Sequence, residues 1–162
     1  RCPEGDFAQA GAKMKIIVGI DPGVNTGFCA WDCESRKIIE IKSIKIHQAM
    51  LRVLALRDAG ELVGVAFEDA RLRTWYGTTR GTKADTARLQ GAGSVKRDCQ
   101  IWADFLAGSG IKCHAISPQG KGAKVAAQDF ARITGVTARI NEHARDAGML
   151  VFGLAEWPRS WV

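Results

Sequence analysis

The sequence contains no long hydrophobic run, and this absence excludes several classes of protein. The apolar stretch at 16–20 is only strand-sized, whereas a membrane-spanning helix needs about 20 such residues. No hydrophobic signal region precedes Met14, and neither internal repeats nor a linker are visible. The 162 residues, 25% of them charged, suit one domain that is neither disordered nor fibrous. We expect a single domain at 14–162 that begins at Met14, with 1–13 as a leader or a segment added for expression.

The cysteines are few and do not form a recognisable framework. There are five of them, an odd number, and no two are spaced as Cys-x-x-Cys. Disulfide-stapled proteins of the secreted type are usually shorter and carry an even number. The pattern therefore predicts free thiols and a cytoplasmic location.

Positive charge is concentrated in one segment. The chain has a formal charge of +6 and a pI of about 9.3. Residues 70–97 alone contain seven basic side chains against the single acid Asp85, so the rest of the chain is balanced. Such a basic segment predicts contacts with phosphate groups of a nucleic acid. Its members are Arg71, Arg73, Arg80, Lys83, Arg88, Lys96 and Arg97.

The hydrophobic patterning predicts strands followed by alternating helices and strands. Three strands in an antiparallel meander come first, and the later strands are each preceded by a helix, which indicates an α/β mixed sheet with helices on both faces. Gly60 is expected to end the first helix and Pro158 the last, while Gly91 and Gly93 suggest close packing of another backbone. The predicted strands are 15–20, 28–31, 37–44, 62–67 and 111–116, and the predicted helices are 46–59, 85–106, 123–133 and 141–155.

Acidic side chains follow two of the buried strands. Asp21 ends the first strand and Glu68 ends the fourth, and sites in such sheets form outside the strand ends. On the last helix, His143 and Asp146 are three residues apart and share a face. Each of these acids has a simpler explanation when it is taken alone. An acid after a strand can be a solvated strand end, and an acid at the start of a helix favours the helix dipole, which explains the neighbouring Glu142 well. The helix dipole explains less well an Asp146 that faces the core and is flanked by Ala144 and Ala147.

Carboxylate oxygens with one imidazole suit Mg²⁺ or Mn²⁺ better than structural zinc. Clustered carboxylates repel one another, so a divalent cation is their natural partner. Two such ions can promote phosphodiester hydrolysis. The acidic set therefore agrees with the basic segment in pointing to a nucleic acid substrate.

Three motifs in order resemble those of RuvC-type Holliday-junction resolvases. They are Ile17-Val-Gly-Ile-Asp-Pro-Gly-Val-Asn-Thr-Gly27, Val65-Ala-Phe-Glu-Asp69 and His143-Ala-Arg-Asp-Ala147. The first motif also occurs in actin-like ATPases, which need a longer chain. The resemblance runs along nearly all of 14–154 and implies a ribonuclease H-like fold, a homodimer, and metal-dependent symmetric nicking of four-way DNA junctions in recombination and repair.

Carried over to this sequence, the resemblance implies that Asp21, Glu68, His143 and Asp146 bind two Mg²⁺ ions, with Mn²⁺ able to substitute. Many members have Asp where this chain has His143. The histidine removes one negative charge from the set, or it supplies a general acid or base. The family places basic residues near the scissile phosphate, after the third buried strand, which is predicted here at 111–116. Lys121 and Lys124 both fit that place, and both also fit solvated lysines of a glycine-rich loop.

The segment after Glu68 departs from the family. Resolvases carry an aromatic residue close after the acidic strand, whereas here position 71 is Arg and Trp75 and Tyr76 come later. These aromatics would stack on unpaired bases, or Trp75 would pack under the loop or in a dimer interface. The longer loop suits a phage-like or divergent member.

The resemblance thus implies an endodeoxyribonuclease that resolves four-way junctions as a homodimer. Whether it has branch-migration partners is left open. Three alternatives remain at this stage: a related nuclease for branched DNA or RNA–DNA hybrids, a non-catalytic junction-binding protein, and a basic α/β domain with a protein partner. The helix at 85–106, with Ile101, Trp102, Phe105 and Leu106, is either the dimer interface or part of the core.

Overall fold

The mixed sheet predicted from the sequence is present. The computed structural model describes residues 13–73, 83–120 and 124–161, with side chains in the second range described from position 91 to 119. Strands β1 and β2, and β2 and β3, pair antiparallel, whereas β4 pairs parallel with both β1 and β5. The strand order is β3-β2-β1-β4-β5. The strands are β1 Ile16–Asp21, β2 Asn25–Asp32, β3 Lys37–Lys45, β4 Leu62–Glu68 and β5 Cys113–Ile116.

The predicted helices are also present, with shifted ends. Helix α1 ends before Gly60, whose φ of 65° is the left-handed conformation expected after a helix. Helix α4 is shorter than predicted because Gly153, at a φ of 85°, follows its last turn. The expectation that Pro158 ends this helix is therefore wrong. The helices are α1 Ile46–Asp58, α2 Lys83–Gly108, α3 Ala127–Thr134 and α4 Glu142–Val151.

Helices cover both faces of the sheet and enclose two apolar clusters. On one face, Ile20 and Phe67 pack with Val53 of α1 and Trp102 of α2. On the other face, α4 and Trp157, which follows it in the chain, cover a second cluster, which includes Ile17 and Ala66. Each large side chain that is fully buried contributes roughly 1.5–3 kcal/mol. The two clusters fix the sheet between its helices and so position the strand ends.

Two glycines in α2 do not have the role that the sequence suggests. A Cβ atom added at Gly91 or Gly93 would meet nothing within 4 Å in the part of the chain that the structure describes. Within the described residues, no other backbone packs against them, and both glycines are exposed. None of the described helices is long and apolar enough to cross a bilayer.

Candidate nuclease site

The two strand-end carboxylates lie on the same face of the sheet. Ile20 and Phe67 are partners in the parallel β1–β4 register, so Asp21 and Glu68 are the next residues of neighbouring strands. Side chains alternate between faces along a strand. Since Ile20 and Phe67 point toward α1 and α2, Asp21 and Glu68 point toward α4.

Helix α4 reaches this face because glycine lets it approach closely. A Cβ atom added at Gly27 would lie 1.9 Å from the carbonyl oxygen of His143, and one at Gly19 would lie 2.1 Å from that of Ala147. Successive turns of α4 therefore rest directly on the backbone of β1 and β2. Because Gly27 is the register partner of Asp21, this approach brings His143 to Asp21.

Asp21 and His143 form a hydrogen-bonded pair across 122 residues of sequence. The Nδ1 atom of His143 donates to Oδ2 of Asp21 at 2.7 Å. The Asp21 side chain is 14% exposed and that of His143 is 42% exposed, so the pair lies at the edge of solvent. An ionised carboxylate only accepts hydrogen bonds. The proton is then on Nδ1, which leaves Nε2 as the ring nitrogen that can bind a metal ion or exchange a proton.

Lys124 lies against the acidic side of α4. Its Nζ atom is 3.2 Å from a carboxylate oxygen of Glu142 and 3.5 Å from one of Asp146. Partial burial would lower the pKa of Lys124, but these two carboxylates outweigh it and raise the pKa. The same contact lowers the pKa of Glu142. Lys124 therefore stays an ammonium ion beside the predicted ligand Asp146.

The start of α4 is fixed by residues on both sides of it. Asn141 caps the helix, since its side chain accepts a hydrogen bond from the backbone N–H of Ala144 at 3.0 Å. Arg145 donates from Nη1 to the carbonyl of Ile140 at 3.0 Å and from Nε to that of Val125 at 3.3 Å. Arg145 thus ties the backbone next to Lys124 to the helix that carries His143 and Asp146.

The donor chemistry of the predicted ligand set fits a hard divalent cation. Three carboxylates and an imidazole are oxygen-rich ligands of the kind that Mg²⁺ and Mn²⁺ accept. Across residues 13–73, 83–120 and 124–161, no three His, Cys, Asp or Glu side chains are grouped closely enough to hold an ion. Asp21 instead contacts His143, and Asp146 contacts Lys124. A metal ion would therefore have to compete with these internal partners for the carboxylates.

The predicted phosphate-binding residues fall into three groups. Arg97 is exposed and lies 3.6 Å from Asp98, Arg73 is exposed, and Lys96 is half-buried. Arg71 is hydrogen-bonded to Asp69 within the chain. Arg80 lies outside the described residues, as do the predicted base-stacking residues Trp75 and Tyr76 and the predicted catalytic residue Lys121. Lys83 and Arg88 lie on α2 where only the backbone is described.

The residues proposed for a dimer interface on α2 separate into two sets. Trp102 and Leu106 are fully buried in the core of this chain. Ile101 is 41% exposed, and Val95 on the same helix and Leu72 before it are also exposed. Ile101 therefore stays a candidate for contact with a second copy, whereas Trp102 and Leu106 belong to the core.

Sequence reasoning passed over Asp69, which the structure buries directly after Glu68 on the α2 side of the sheet. Asp69 follows Glu68 directly and is only 2% exposed. The signal that could have found it is an Asp two residues before an Arg at the start of a turn, since Asp side chains bond the backbone two residues on. Asp32, at the other end of the sheet, was passed over in the same way.

Comparison with known proteins agrees on the fold. No family model matches the chain, and no curated protein matches it either. Among solved structures, it is similar to Thermus thermophilus RuvC in complex with Holliday junction substrate, with a TM-score of 0.51, 15% identity, and coverage of 85% of this chain and 90% of that one. A second Thermus thermophilus RuvC structure aligns with a TM-score of 0.46, 17% identity, and coverage of 85% and 91%. The first of these two alignments shows that the chain has a RuvC-like fold.

Proposed function

We propose that this protein is a metal-dependent endodeoxyribonuclease that cuts four-way DNA junctions symmetrically as a homodimer. The observation that carries the proposal is the Asp21–His143 pair, 2.7 Å long, at the sheet edge where Glu68 also ends its strand. A RuvC-like fold supports this assignment, because the structural neighbour is a RuvC bound to a Holliday junction.

In this proposal Asp21, Glu68, His143 and Asp146 hold Mg²⁺ or Mn²⁺. A divalent ion bound by them would supply Lewis-acid stabilisation of the charge that develops on the phosphodiester. Asp21 would orient the His143 ring through Nδ1, which leaves Nε2 available to a metal ion or a proton. Lys124, held as an ammonium ion beside Asp146, adds positive charge next to the phosphate.

The proposed binding surface is basic and the proposed dimer contact is apolar. Arg73, Lys96 and Arg97 would contact phosphates, which fixes the position of the DNA without reading its sequence. The exposed Leu72, Val95 and Ile101 would face the second copy. The four described cysteines are free thiols, which fits the reducing cytoplasm that we propose as its location.

The test is a nicking assay on a synthetic four-way junction with Mg²⁺, Mn²⁺ or EDTA, with cuts mapped on all four strands. We expect paired, symmetric nicks that require the metal. Cleavage of a fork or an RNA–DNA hybrid in preference to the junction would favour a related nuclease. Tight junction binding without cuts in either metal would make it a non-catalytic junction-binding protein, in which His143 and Lys124 stay bonded to Asp21 and Asp146.

A further inference from the structure

A network of hydrogen bonds fixes the backbone immediately after Glu68. The buried Asp69 carboxylate accepts from Nε of Arg71 at 2.9 and 3.1 Å and from Nη2 at 2.7 Å. It also accepts from the backbone N–H of Arg71 at 2.9 Å. Asp69 therefore holds both the main chain and the side chain of Arg71.

The same network reaches helix α2. Nη1 of Arg71 donates to the side-chain oxygen of Gln100, and Gln100 in turn donates to Asp104 at 2.7 Å. Burial would raise the pKa of Asp69, but the hydrogen bonds from Arg71 outweigh it and lower the pKa. The carboxylate is therefore ionised, and the pair as a whole has no net charge.

A buried thiol on α2 closes the network from the other side. Cys99 Sγ donates to the carbonyl oxygen of Glu68 at 3.6 Å and accepts from the backbone N–H of Ala70 at 3.4 Å. Burial raises the pKa of this thiol to about 11, so it keeps the proton that it donates. The backbone on each side of Asp69 is thus bonded to α2.

We propose that Asp69 and Arg71 are positioning residues, which hold Glu68 in the site by locking the end of β4 onto α2. The proposal rests on the function proposed above, in which Glu68 is a metal ligand. It replaces the expectation that Arg71 contacts phosphate. A guanidinium that makes these bonds to Asp69 and Gln100 is neutralised and oriented within the chain. Outer partners of metal ligands typically change metal affinity or activity by about 10–100-fold when removed.

The most discriminating variant keeps the positive charge at position 71 and removes the hydrogen bonds that only a guanidinium can make. Arg71→Lys retains a cation, but an ammonium group cannot bond Asp69 with two parallel donors and Gln100 at the same time. The double variant Asp69→Asn with Arg71→Gln removes the pair without leaving a buried charge behind. Arg73 lies two residues after Arg71 and is a proposed phosphate contact. Arg73→Lys and Arg73→Gln therefore serve as controls that show how loss of a phosphate contact is measured.

Three quantities are measured for each variant: the cleavage rate at saturating four-way junction, Mn²⁺ binding to the DNA-free protein by calorimetry, and junction affinity in EDTA across a salt series. We expect Arg71→Lys and the double variant to lower the cleavage rate and the Mn²⁺ affinity about 10-fold or more. Their junction affinity and salt slope should stay within about twofold of wild type, as expected when no phosphate contact is lost. Arg73→Gln should weaken junction binding and reduce the slope, and Arg73→Lys should not.

The opposite pattern would overturn the positioning role. If Arg71→Lys cleaves and binds Mn²⁺ like wild type while the double variant loses junction affinity and salt slope, Arg71 is a phosphate contact. Failure of the proposed function is distinguishable from failure of the positioning role. In that case the wild-type protein itself does not cleave the junction, which overturns both proposals. Thermal unfolding of each variant separates either result from a loss of folded protein.

Discussion

Two aspartates lie at opposite ends of the same β1–β2 ladder, and they are partnered in opposite ways. Asp32 accepts from the backbone N–H groups of Lys15, Glu34 and Ser35 and from the Ser35 hydroxyl at 2.6 Å. Three of those four donors belong to its own turn. Asp21 instead accepts from His143, which arrives from a helix 122 residues later.

The difference distinguishes a structural carboxylate from the one that we propose as a metal ligand. Donors from the local turn satisfy Asp32 wherever the rest of the chain lies, so it stabilises the turn and needs no ligand. Asp21 obtains an ionisable partner only when the whole domain is folded, at an edge that also contains Glu68. An acid at a strand end is therefore informative through the origin of its partners rather than through its position alone.

The largest expected effect comes from Asp21→Asn. An amide cannot replace the charge of the carboxylate as a metal ligand, and a bound metal is worth several kcal/mol at the transition state, which corresponds to about a thousandfold in rate. Junction affinity should be kept and the free energy of unfolding should change by less than about 1 kcal/mol, because the amide oxygen still accepts a hydrogen bond. Single-turnover cleavage and denaturant unfolding measure both.

The matched control for Asp21→Asn is Asp58→Asn at the end of α1. Asp58 is exposed and pairs with the neighbouring Arg57, so its loss should leave the cleavage rate unchanged. Cleavage by Asp21→Asn at near the wild-type rate would remove Asp21 from the mechanism and make it equivalent to Asp32.

A second experiment breaks the approach of α4 to Asp21 through Gly27→Ala. The added Cβ atom would lie 1.9 Å from the carbonyl oxygen of His143, and a backbone atom cannot rotate away. Overpacking in a core typically costs about 1–3 kcal/mol, and we expect the upper end of that range together with reduced cleavage. Chemical denaturation provides the free energy of unfolding.

Gly93→Ala makes the same chemical change where there is room for it. Nothing described lies within 4 Å of the added atom, and alanine favours a helix over glycine by about 0.8–1.0 kcal/mol. The two variants should therefore move stability in opposite directions. Equal stability of Gly27→Ala and wild type would mean that α4 does not rest on β2 as described.

Asp32→Asn tests the structural end of the ladder. The Ser35 hydroxyl, helped by the backbone N–H groups and opposed by desolvation, lowers the pKa of Asp32. A folded-state pKa below the unfolded value of about 3.9 stabilises the protein above that value, and this stabilisation is lost as the pH falls through the folded pKa. We expect a loss of about 1–2 kcal/mol at pH 7, with the cleavage rate unchanged.

Unfolding curves for wild type and Asp32→Asn at several pH values check the sign. The difference in free energy of unfolding should be largest at neutral pH and should narrow below about pH 4. A constant difference at all pH values would show that the charge of Asp32 has no part in its role. A fall in cleavage rate would show that the two ends of the ladder are coupled.

The sheet was predictable because its strands show local patterns, and so was the position of Asp21 and Glu68 at the ends of neighbouring strands. Buried strands followed by Asp21 and Glu68 are visible as alternation and as turn residues, and His143 and Asp146 share a helix face by spacing alone. The distinction between Asp21 and Asp32 was not predictable, because it depends on which elements meet in the folded chain. The same holds for Arg71, whose basic side chain suggests phosphate until its pairing with Asp69 is known.

The smallest expected effect is on the salt dependence of DNA binding. Arg97 is 68% exposed at its side chain, lies on α2 and is only 3.6 Å from Asp98, without a contact to the proposed metal ligands among the ion pairs of the described residues. Each phosphate contact contributes about 0.9 to the slope of log affinity against log salt for duplex DNA. Arg97→Gln should therefore lower the slope by about one and weaken junction binding several-fold at low salt, while the cleavage rate at saturating junction stays constant.

Lys37→Gln removes the same charge at the opposite end of the sheet. Lys37 is the exposed first residue of β3 and the register partner of Asp32, so it lies at the end remote from Asp21. A change of one unit in net charge acts on DNA at long range only weakly at physiological salt, where the screening length is about 8 Å. Affinity should therefore respond to Arg97 and not to Lys37. An equal response would mean that net charge, rather than a defined basic surface beside the acidic edge, attracts the DNA.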